Sequence, residues 1–129
     1  MAYKILVVDD DKDIVETLQK RLKQEEYLVA VAFDGEEALT KVKTENPDVI
    51  LLDLMMPKLN GFEVLKEIRE KHTDKWRPVI IVSAQTDLDV LKKCYNLEAD
   101  HYLTKPCTLE NVLRGIHTMI SLIPLRIQS

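Results

Sequence analysis

The sequence of 129 residues has little cysteine, and the pattern of its cysteines and histidines is not that of a cross-linked protein. Its two cysteines, Cys94 and Cys107, stand apart without a CxxC spacing. Its three histidines, His72, His101 and His117, lack the spacing of metal ligands. A domain of this length folds without such staples. The sequence therefore indicates neither a disulfide framework nor a zinc site, and both cysteines are interpreted as inert, packed thiols.

Long apolar runs and an excess of basic residues are missing as well. No stretch approaches the roughly 18 consecutive apolar residues of a membrane-spanning helix, and the first residues lead into a strand-like run rather than a signal peptide. Lys and Arg total 18 against 22 Asp and Glu, a formal charge of -4, which is the wrong sign for binding nucleic acid through its phosphates. We therefore expect a cytoplasmic protein that contacts neither nucleic acid nor membrane directly.

What the sequence does contain is a regular alternation of two kinds of segment. With 46% hydrophobic and 31% charged residues, the chain can build one globular core. Five short runs are continuously apolar, as strands buried on both faces are: Lys4–Val8, Leu28–Ala32, Val49–Leu52, Val79–Val82 and Tyr102–Thr104. Five stretches have apolar residues at helical spacing: Ile14, Leu18 and Leu22; Ala38, Leu39 and Val42; Phe62, Leu65 and Ile68; Leu88, Leu91 and Tyr95; and Leu109, Val112, Leu113, Ile116 and Ile120.

This alternation predicts an α/β fold, a doubly wound three-layer αβα sandwich. Parallel strands joined by helices cross over right-handed, which places helices on both faces of one sheet. Asp34 and Thr108 are predicted N-caps, and Pro124 is interpreted as a helix end. We expect one domain over residues 1–120, followed by a tail or linker stub over residues 121–129.

Polar residues that follow the strands carry the candidate chemistry. In open α/β sheets the functional crevice lies outside the carboxyl ends of the strands. Asp9 and Asp10 follow the first strand, Asp53 the third, Ser83 the fourth and Lys105 the fifth. Clustered carboxylates repel each other unless a cation joins them, and Mg2+ prefers oxygen ligands while leaving positions for a phosphate. The pattern predicts a magnesium site with Asp53 as a nucleophile toward phosphorus, aided by Lys105 and Ser83.

These residues stand in motifs that resemble the receiver domain of two-component response regulators, from Lys4 to about Ile120. The motifs occur in order along the chain: Ile5–Asp10, Asp53–Pro57 followed by Gly61, Ser83–Ala84 and Tyr102–Pro106. The resemblance implies a flavodoxin-like (βα)5 fold with strand order 2-1-3-4-5, the order of a chemotaxis receiver. It also implies a phosphorylation-activated signalling domain rather than an enzyme.

By the same resemblance, Asp53 is the phosphoacceptor. It would take a phosphoryl group, with Mg2+, from the phosphohistidine of a sensor histidine kinase or a histidine phosphotransfer protein. The metal ligands implied are Asp10 and Asp53 directly, the backbone carbonyl of Met55, and Asp9 through water.

The resemblance further implies a switch. Ser83 and Lys105 would contact the phosphoryl oxygens, and the Lys105–Pro106 bond would be cis. Tyr102 matches an aromatic position whose ring moves inward when Ser83 is drawn toward the phosphoryl group. The surface of the fourth helix, the fifth strand and the fifth helix would then change, and an output domain or target protein would bind it.

Two alternatives remain open. One is a receiver-fold interaction module that works without phosphorylation, which loss of Asp10, Asp53 or Lys105 would indicate; none is lost. The other is a phosphohydrolase that uses Asp53 as its nucleophile. That chemistry typically needs a second acid two residues later, where Met55 stands.

Several positions depart from the common receiver pattern or bear on regulation. Glu98 stands where many receivers have glycine, and Cys107 where an aromatic residue is frequent. Gly61 is interpreted as permitting a turn with positive φ. Met55 and Gln85 lie where the family varies the lifetime of the phosphate. Because apolar Met55 cannot orient an attacking water, Gln85 is the only local candidate for that role. We therefore hypothesise that dephosphorylation is moderate to slow.

Overall fold

The computed structural model describes residues 2–56 and 58–128. Met1, Pro57, which carries part of the resemblance, and Ser129 of the predicted tail lie outside the described residues. Strands and helices alternate along the chain: β1 (Lys4–Val8), α1 (Lys12–Gln24), β2 (Leu28–Ala32), α2 (Gly35–Glu45), β3 (Val49–Leu52), α3 (Gly61–Lys71), β4 (Val79–Ser83), α4 (Leu88–Asn96), β5 (His101–Thr104) and α5 (Leu109–Gln128).

The five strands form one parallel sheet in the order β2-β1-β3-β4-β5, which confirms the predicted fold. Successive side chains of a strand point to opposite faces, so each central strand contributes to two cores. In β1, Leu6 and Val8 pack into the core beneath α2, α3 and α4. Ile5 and Val7 pack into the core beneath α1 and α5. The continuously apolar strands are explained by this burial on both faces.

The predicted helix starts are confirmed by their hydrogen bonds. The Asp34 carboxylate accepts the amide of Glu37 at 2.8 Å, and Glu37 Oε1 accepts the amide of Phe33, the residue before the N-cap, at 2.8 Å, which is a variant of the capping box. Thr108 Oγ1 accepts the amide of Asn111 at 3.1 Å at the start of α5. These caps satisfy backbone donors that no helical carbonyl can reach.

The prediction that Pro124 ends the last helix is wrong. Pro124 lies inside α5, which continues to Gln128, although a proline removes one helical hydrogen bond. A tertiary contact accompanies this extension of the helix: the Arg126 guanidinium lies 4.4 Å from the centre of the Trp76 ring. None of the helices in the described part of the chain, α5 included, has the length and apolar character of a membrane span.

The apolar spacing in α4 corresponds to an outward face rather than a buried one. Leu88 is 65% exposed and Tyr95 is 49% exposed, and Leu91 between them is half-buried. Cys94 is the one buried residue in this helix, all of which the structure describes. Periodicity identifies an apolar face of a helix but not what covers that face. In α4 the apolar stripe, which consists of Leu88, Leu91 and Tyr95, lies at the surface.

Replacing Glu98 with glycine should stabilise the domain. Glu98 has φ of 69°, a left-handed conformation that costs an ordinary residue about 1–2 kcal/mol, whereas glycine adopts it freely at an entropic cost of about 0.5–1 kcal/mol. We expect Glu98→Gly to raise the free energy of unfolding by about 0.5–1 kcal/mol in urea denaturation. Glu98→Ala, the matched control, should bring no such gain, and equal gains in both variants would contradict the explanation.

Candidate functional site

The sheet brings the acidic residues predicted from sequence to one edge. Val8 and Leu52 are paired in register at the ends of β1 and β3, so the residues that follow them are neighbours. The amide of Asp53 donates to the carbonyl of Val8 at 3.0 Å. Asp9 and Asp53 are 4% and 6% exposed, and Asp10 is exposed. The edge therefore combines two buried carboxylates with one open to solvent.

The three carboxylates form a group able to hold a metal ion. One oxygen from each of Asp9, Asp10 and Asp53 lies within 4.8 Å of the others. Backbone amides fix two of them, because Asp9 Oδ1 accepts the amide of Asp11 at 2.9 Å and Asp53 Oδ1 accepts the amide of Met55 at 3.2 Å. An all-oxygen set open on one side suits Mg2+, which keeps waters and binds phosphate oxygens.

Lys105 supplies the positive charge in this cluster. Its Nζ lies 2.7 Å from Asp9 Oδ2 and 3.5 Å from Asp53 Oδ2. The bond to Pro106 is cis, as the resemblance implies, and the Lys105 amide donates to the carbonyl of Ser83 at 2.8 Å. Burial favours the neutral amine, but the hydrogen bond to Asp9 and the two carboxylate charges outweigh it and raise the pKa of Lys105. The ammonium is therefore charged at neutral pH.

Asp53 is held in a state that favours an additional cation. Burial is the main cause that raises the pKa of its carboxyl, and the charges of Asp9 and Asp10 raise it further. The charge of Lys105 and the amide of Met55 act in the opposite direction without cancelling this effect. The ionised carboxylate is thus destabilised as the site stands, and a divalent cation among the three acids would relieve it. These residues fit Mg2+.

Gly61 is required by close packing, and its interpretation as a positive-φ turn residue is wrong. No glycine in the described residues has a positive φ. A Cβ atom at Gly61 would instead lie 2.6 Å from the carbonyl oxygen of Asp53 and 2.6 Å from Leu54 Cα. The Gly61 amide donates to the carbonyl of Leu54 at 3.0 Å. The first residue of α3 therefore rests directly on the backbone of the candidate phosphoacceptor.

Ser83 and Tyr102 meet at one residue of the β4–α4 loop. The fully buried Ser83 accepts the amide of Gln85 on its Oγ at 3.2 Å. The Tyr102 hydroxyl donates to the carbonyl of Gln85 at 2.6 Å, and burial is the main cause that raises the pKa of Tyr102. The sequence points only to the side chain of Gln85. Its main-chain role has no signal in the sequence, because any residue type offers the same amide and carbonyl.

Other residues near the acidic edge lie outside the cluster of carboxylates. Asp11 caps α1, where its carboxylate accepts the amides of Asp13 and Ile14. The Met55 side chain is 61% exposed. Cys107 lines an apolar groove of about 550 Å³ between α1 and α5, and Lys105 forms part of the same wall. The groove adjoins the acidic site through Lys105, but none of the three clustered carboxylates lines the groove.

A doubly wound sheet with carboxylates, a lysine and a serine at its carboxyl edge defines a receiver-like signalling domain. The model of the response regulator receiver domain matches residues 5–117. The chain belongs to this family, whose members are the receiver domains of two-component systems.

Relatives and solved structures agree with that assignment. The chain is 46% identical over 108 residues to the alkaline phosphatase synthesis transcriptional regulatory protein PhoP of Bacillus subtilis, covering 82% of this chain and 43% of that protein. The Francisella response regulator 1452 receiver domain is 36% identical with a TM-score of 0.84, covering 91% and 95% of the two chains. The chemotaxis protein CheY4 of Vibrio cholerae is 30% identical with a TM-score of 0.86, covering 92% and 99%. The chain spans about half the length of the curated relatives it matches.

Replacing Asp53 with asparagine should stabilise the metal-free protein at neutral pH. The raised pKa of Asp53 means that folding disfavours its ionised form, and the amide removes this charge. The gain is present above the raised pKa and shrinks as the pH falls through it, because the wild-type carboxyl then becomes neutral as well. Thermal unfolding between pH 7 and pH 4, without divalent cations, measures the difference.

The matched control for this prediction is Asp13→Asn, which removes an exposed acid from the first turn of α1. It should bring no gain, since an acid there interacts favourably with the helix dipole. Added Mg2+ should stabilise the wild type more than Asp53→Asn. An Asp53→Asn protein that is less stable than wild type at pH 7 would contradict this account of the site.

Proposed function

We propose that this domain is a phosphorylation-activated signalling switch. Asp53 accepts a phosphoryl group, with Mg2+, from the phosphohistidine of a sensor histidine kinase or a histidine phosphotransfer protein. The observation that carries this proposal is the buried Asp53 carboxylate, grouped with two further carboxylates within 4.8 Å and with the Lys105 ammonium at 3.5 Å. The protein helps its own phosphorylation but has no separate substrate to turn over.

The reaction transfers the phosphoryl group from nitrogen to oxygen. A carboxylate oxygen of Asp53 forms a bond to phosphorus while the bond to the donor histidine nitrogen breaks, and the electron pair stays on the imidazole. Lys105 and Ser83 stabilise charge on the phosphoryl oxygens. Mg2+, held by Asp10, Asp53, the carbonyl of Met55 and, through water, Asp9, would neutralise the same oxygens.

The switch follows from the shared contacts at Gln85. When the Ser83 hydroxyl turns toward the phosphoryl oxygens, it gives up the amide of Gln85, which it accepts at 3.2 Å in the structure. Tyr102, whose hydroxyl holds the carbonyl of the same residue, changes position with it. The α4-β5-α5 face is thereby altered and regulates an output domain or target protein.

The surroundings of the site support a protein phosphodonor. The apolar groove between α1 and α5 gives a donor helix a surface beside Lys105, whose Nζ lies 3.5 Å from Asp53 Oδ2. We propose that residues 1–120 form the receiver unit and that residues 121–129, of which 121–128 extend α5, form a tail or linker stub. We also propose a cytoplasmic location and no direct contact of this domain with nucleic acid or membrane.

Incubation with Mg2+ and acetyl phosphate should add one phosphoryl group, which intact-mass measurement detects. The adduct should be stable in acid, labile in alkali, dependent on Mg2+ and absent from Asp53→Ala. Asp13→Asn, which removes a nearby exposed acid, is the matched control and should be phosphorylated normally. No adduct in the wild type would favour the phosphorylation-independent module, and an adduct that persists in Asp53→Ala would place the acceptor on another side chain. Continuous release of phosphate from a phosphomonoester would instead favour the phosphohydrolase.

Replacing Met55 with asparagine should shorten the lifetime of the phosphorylated form. Met55 is 61% exposed beside Asp53, and its thioether cannot orient an attacking water as an amide can. We expect Met55→Asn to raise the first-order rate of phosphate loss several-fold, measured after removal of acetyl phosphate. Met55→Leu keeps an apolar side chain and should retain the wild-type rate. An unchanged rate in Met55→Asn would overturn the hypothesis.

A further inference from the structure

The sheet edge opposite the candidate site is held by Arg69 on α3, which is 14% exposed. Its guanidinium donates to three segments: Nε to the carbonyl of Glu98 at 3.0 Å, Nη1 to the carbonyl of Arg77 at 2.8 Å, and Nη2 to the carboxylate of Asp100. Asp100 Oδ2 also accepts the amide of Val79 at 2.8 Å. Such a planar fork of charge-assisted bonds fixes geometry closely. One side chain thus ties α3 to the α4–β5 turn and to the start of both β4 and β5.

The two ends of α4 differ in how firmly they are held. Near the C-terminal end, Cys94 is fully buried, and Ala99 is buried beyond the turn. The amide of Ala99 bonds back to the carbonyl of Cys94 at 2.9 Å, and the amide of Leu97 bonds to that of Lys93 at 3.0 Å. At the N-terminal end, the N-cap Asp87 makes no side-chain capping hydrogen bond. Packing and hydrogen bonds therefore concentrate at the end that Arg69 contacts.

The N-terminal end of α4 is connected instead to the switch residues. The loop before it is held at Gln85, by the hydroxyls of Ser83 and Tyr102. Both of these contacts belong to the residues expected to change on phosphorylation. The end of α4 near the phosphoacceptor is thus attached through bonds that can be exchanged, whereas the far end is attached through Arg69.

From this asymmetry we propose that Arg69 is a positioning residue that makes the α4–β5 turn a pivot for α4. A change at Gln85 then tilts the helix about its C-terminal end instead of shifting it as a whole. Displacement is largest at Leu88 and smallest at Tyr95, so the apolar stripe of α4 opens from one end. The trigger for this motion rests on the proposed function, but the anchoring by Arg69 does not.

Amide hydrogen exchange in the unliganded protein tests the anchor alone. In Arg69→Gln, exchange at Leu97, Ala99 and Asp100 should accelerate about tenfold or more, because three charge-assisted hydrogen bonds are lost. The exchange rates of the amides of residues 91–93 should stay within about twofold of wild type, because their hydrogen bonds lie within α4 and do not involve Arg69. Arg69→Lys keeps a charge near Asp100 but cannot reach all three acceptors, so it should give a smaller acceleration at the same amides and serves if Arg69→Gln does not fold.

The matched control is Arg77→Lys, at the same edge. The Arg77 side chain is buried and donates to Asn46, His72 and Asp74, none of which lies in α4 or β5. This variant should accelerate exchange evenly, as a general loss of stability does. Unchanged turn amides in both Arg69 variants, or an even acceleration like that of Arg77→Lys, would overturn the proposal.

A second measurement adds Mg2+ and beryllofluoride, a stable mimic of a phosphoryl group on a carboxylate. In the wild type, exchange should change at Gln85 and residues 91–93 but not at residues 97–100. In Arg69→Gln the change should extend through residues 97–100. An equal change at both ends of wild-type α4 would overturn the pivot. No change anywhere in the wild type would count against the proposed function, while the unliganded experiment would still decide the anchor.

Discussion

The burial of neighbouring carboxylates in one small volume is the constraint on which this domain depends. Asp9 and Asp53 are buried next to each other, and Lys105 offsets only part of their charge. Burial is the main cause that raises the pKa of Asp53, and the charges of Asp9 and Asp10 add to it. A divalent cation among these acids would offset the remaining negative charge, and the three carboxylates lie close enough together to hold one. The fold contributes by keeping the acids together despite their repulsion, through strand register and through backbone amides that hold Asp9 and Asp53 in place.

The sequence was sufficient for the architecture and for the members of the site, for a common physical reason. Strands buried on both faces need continuous apolar runs, and parallel strands place the residues that follow them at one edge of the sheet. Both the strands and the residues of this edge can therefore be identified from short segments of sequence. The grouping of Asp9, Asp10 and Asp53, with Lys105 beside them, follows from those two facts. The roles of these residues in phosphoryl transfer rest on the family resemblance, because strand pattern and register determine where a side chain lies and not which reaction it takes part in.

Where the sequence misleads or is insufficient, the missing information is tertiary. The apolar spacing in α4 was real, but only the packing of Cys94 shows that Leu88 and Tyr95 face outward. Pro124 is an ordinary helix-ending residue that lies here within a continuous helix. The reason why glycine is needed at position 61 differs from the predicted one. The backbone of Asp53 lies too close for a side chain, whereas the φ of Gly61 is not positive. Each of these depends on packing in three dimensions and not on the spacing of residues along the chain.

The contact between Trp76 and Arg126 has a practical consequence for spectroscopy. Trp76 is the single tryptophan of the chain, and it precedes β4, whereas Asp53 follows β3. The intrinsic fluorophore is therefore located at the amino edge of the sheet, with a guanidinium 4.4 Å from its ring. Its emission reports on the last turns of α5 and their contact with the α3–β4 connection. A titration followed by this emission should therefore detect changes that reach the far end of the domain, and it should not respond to binding events confined to the acidic edge.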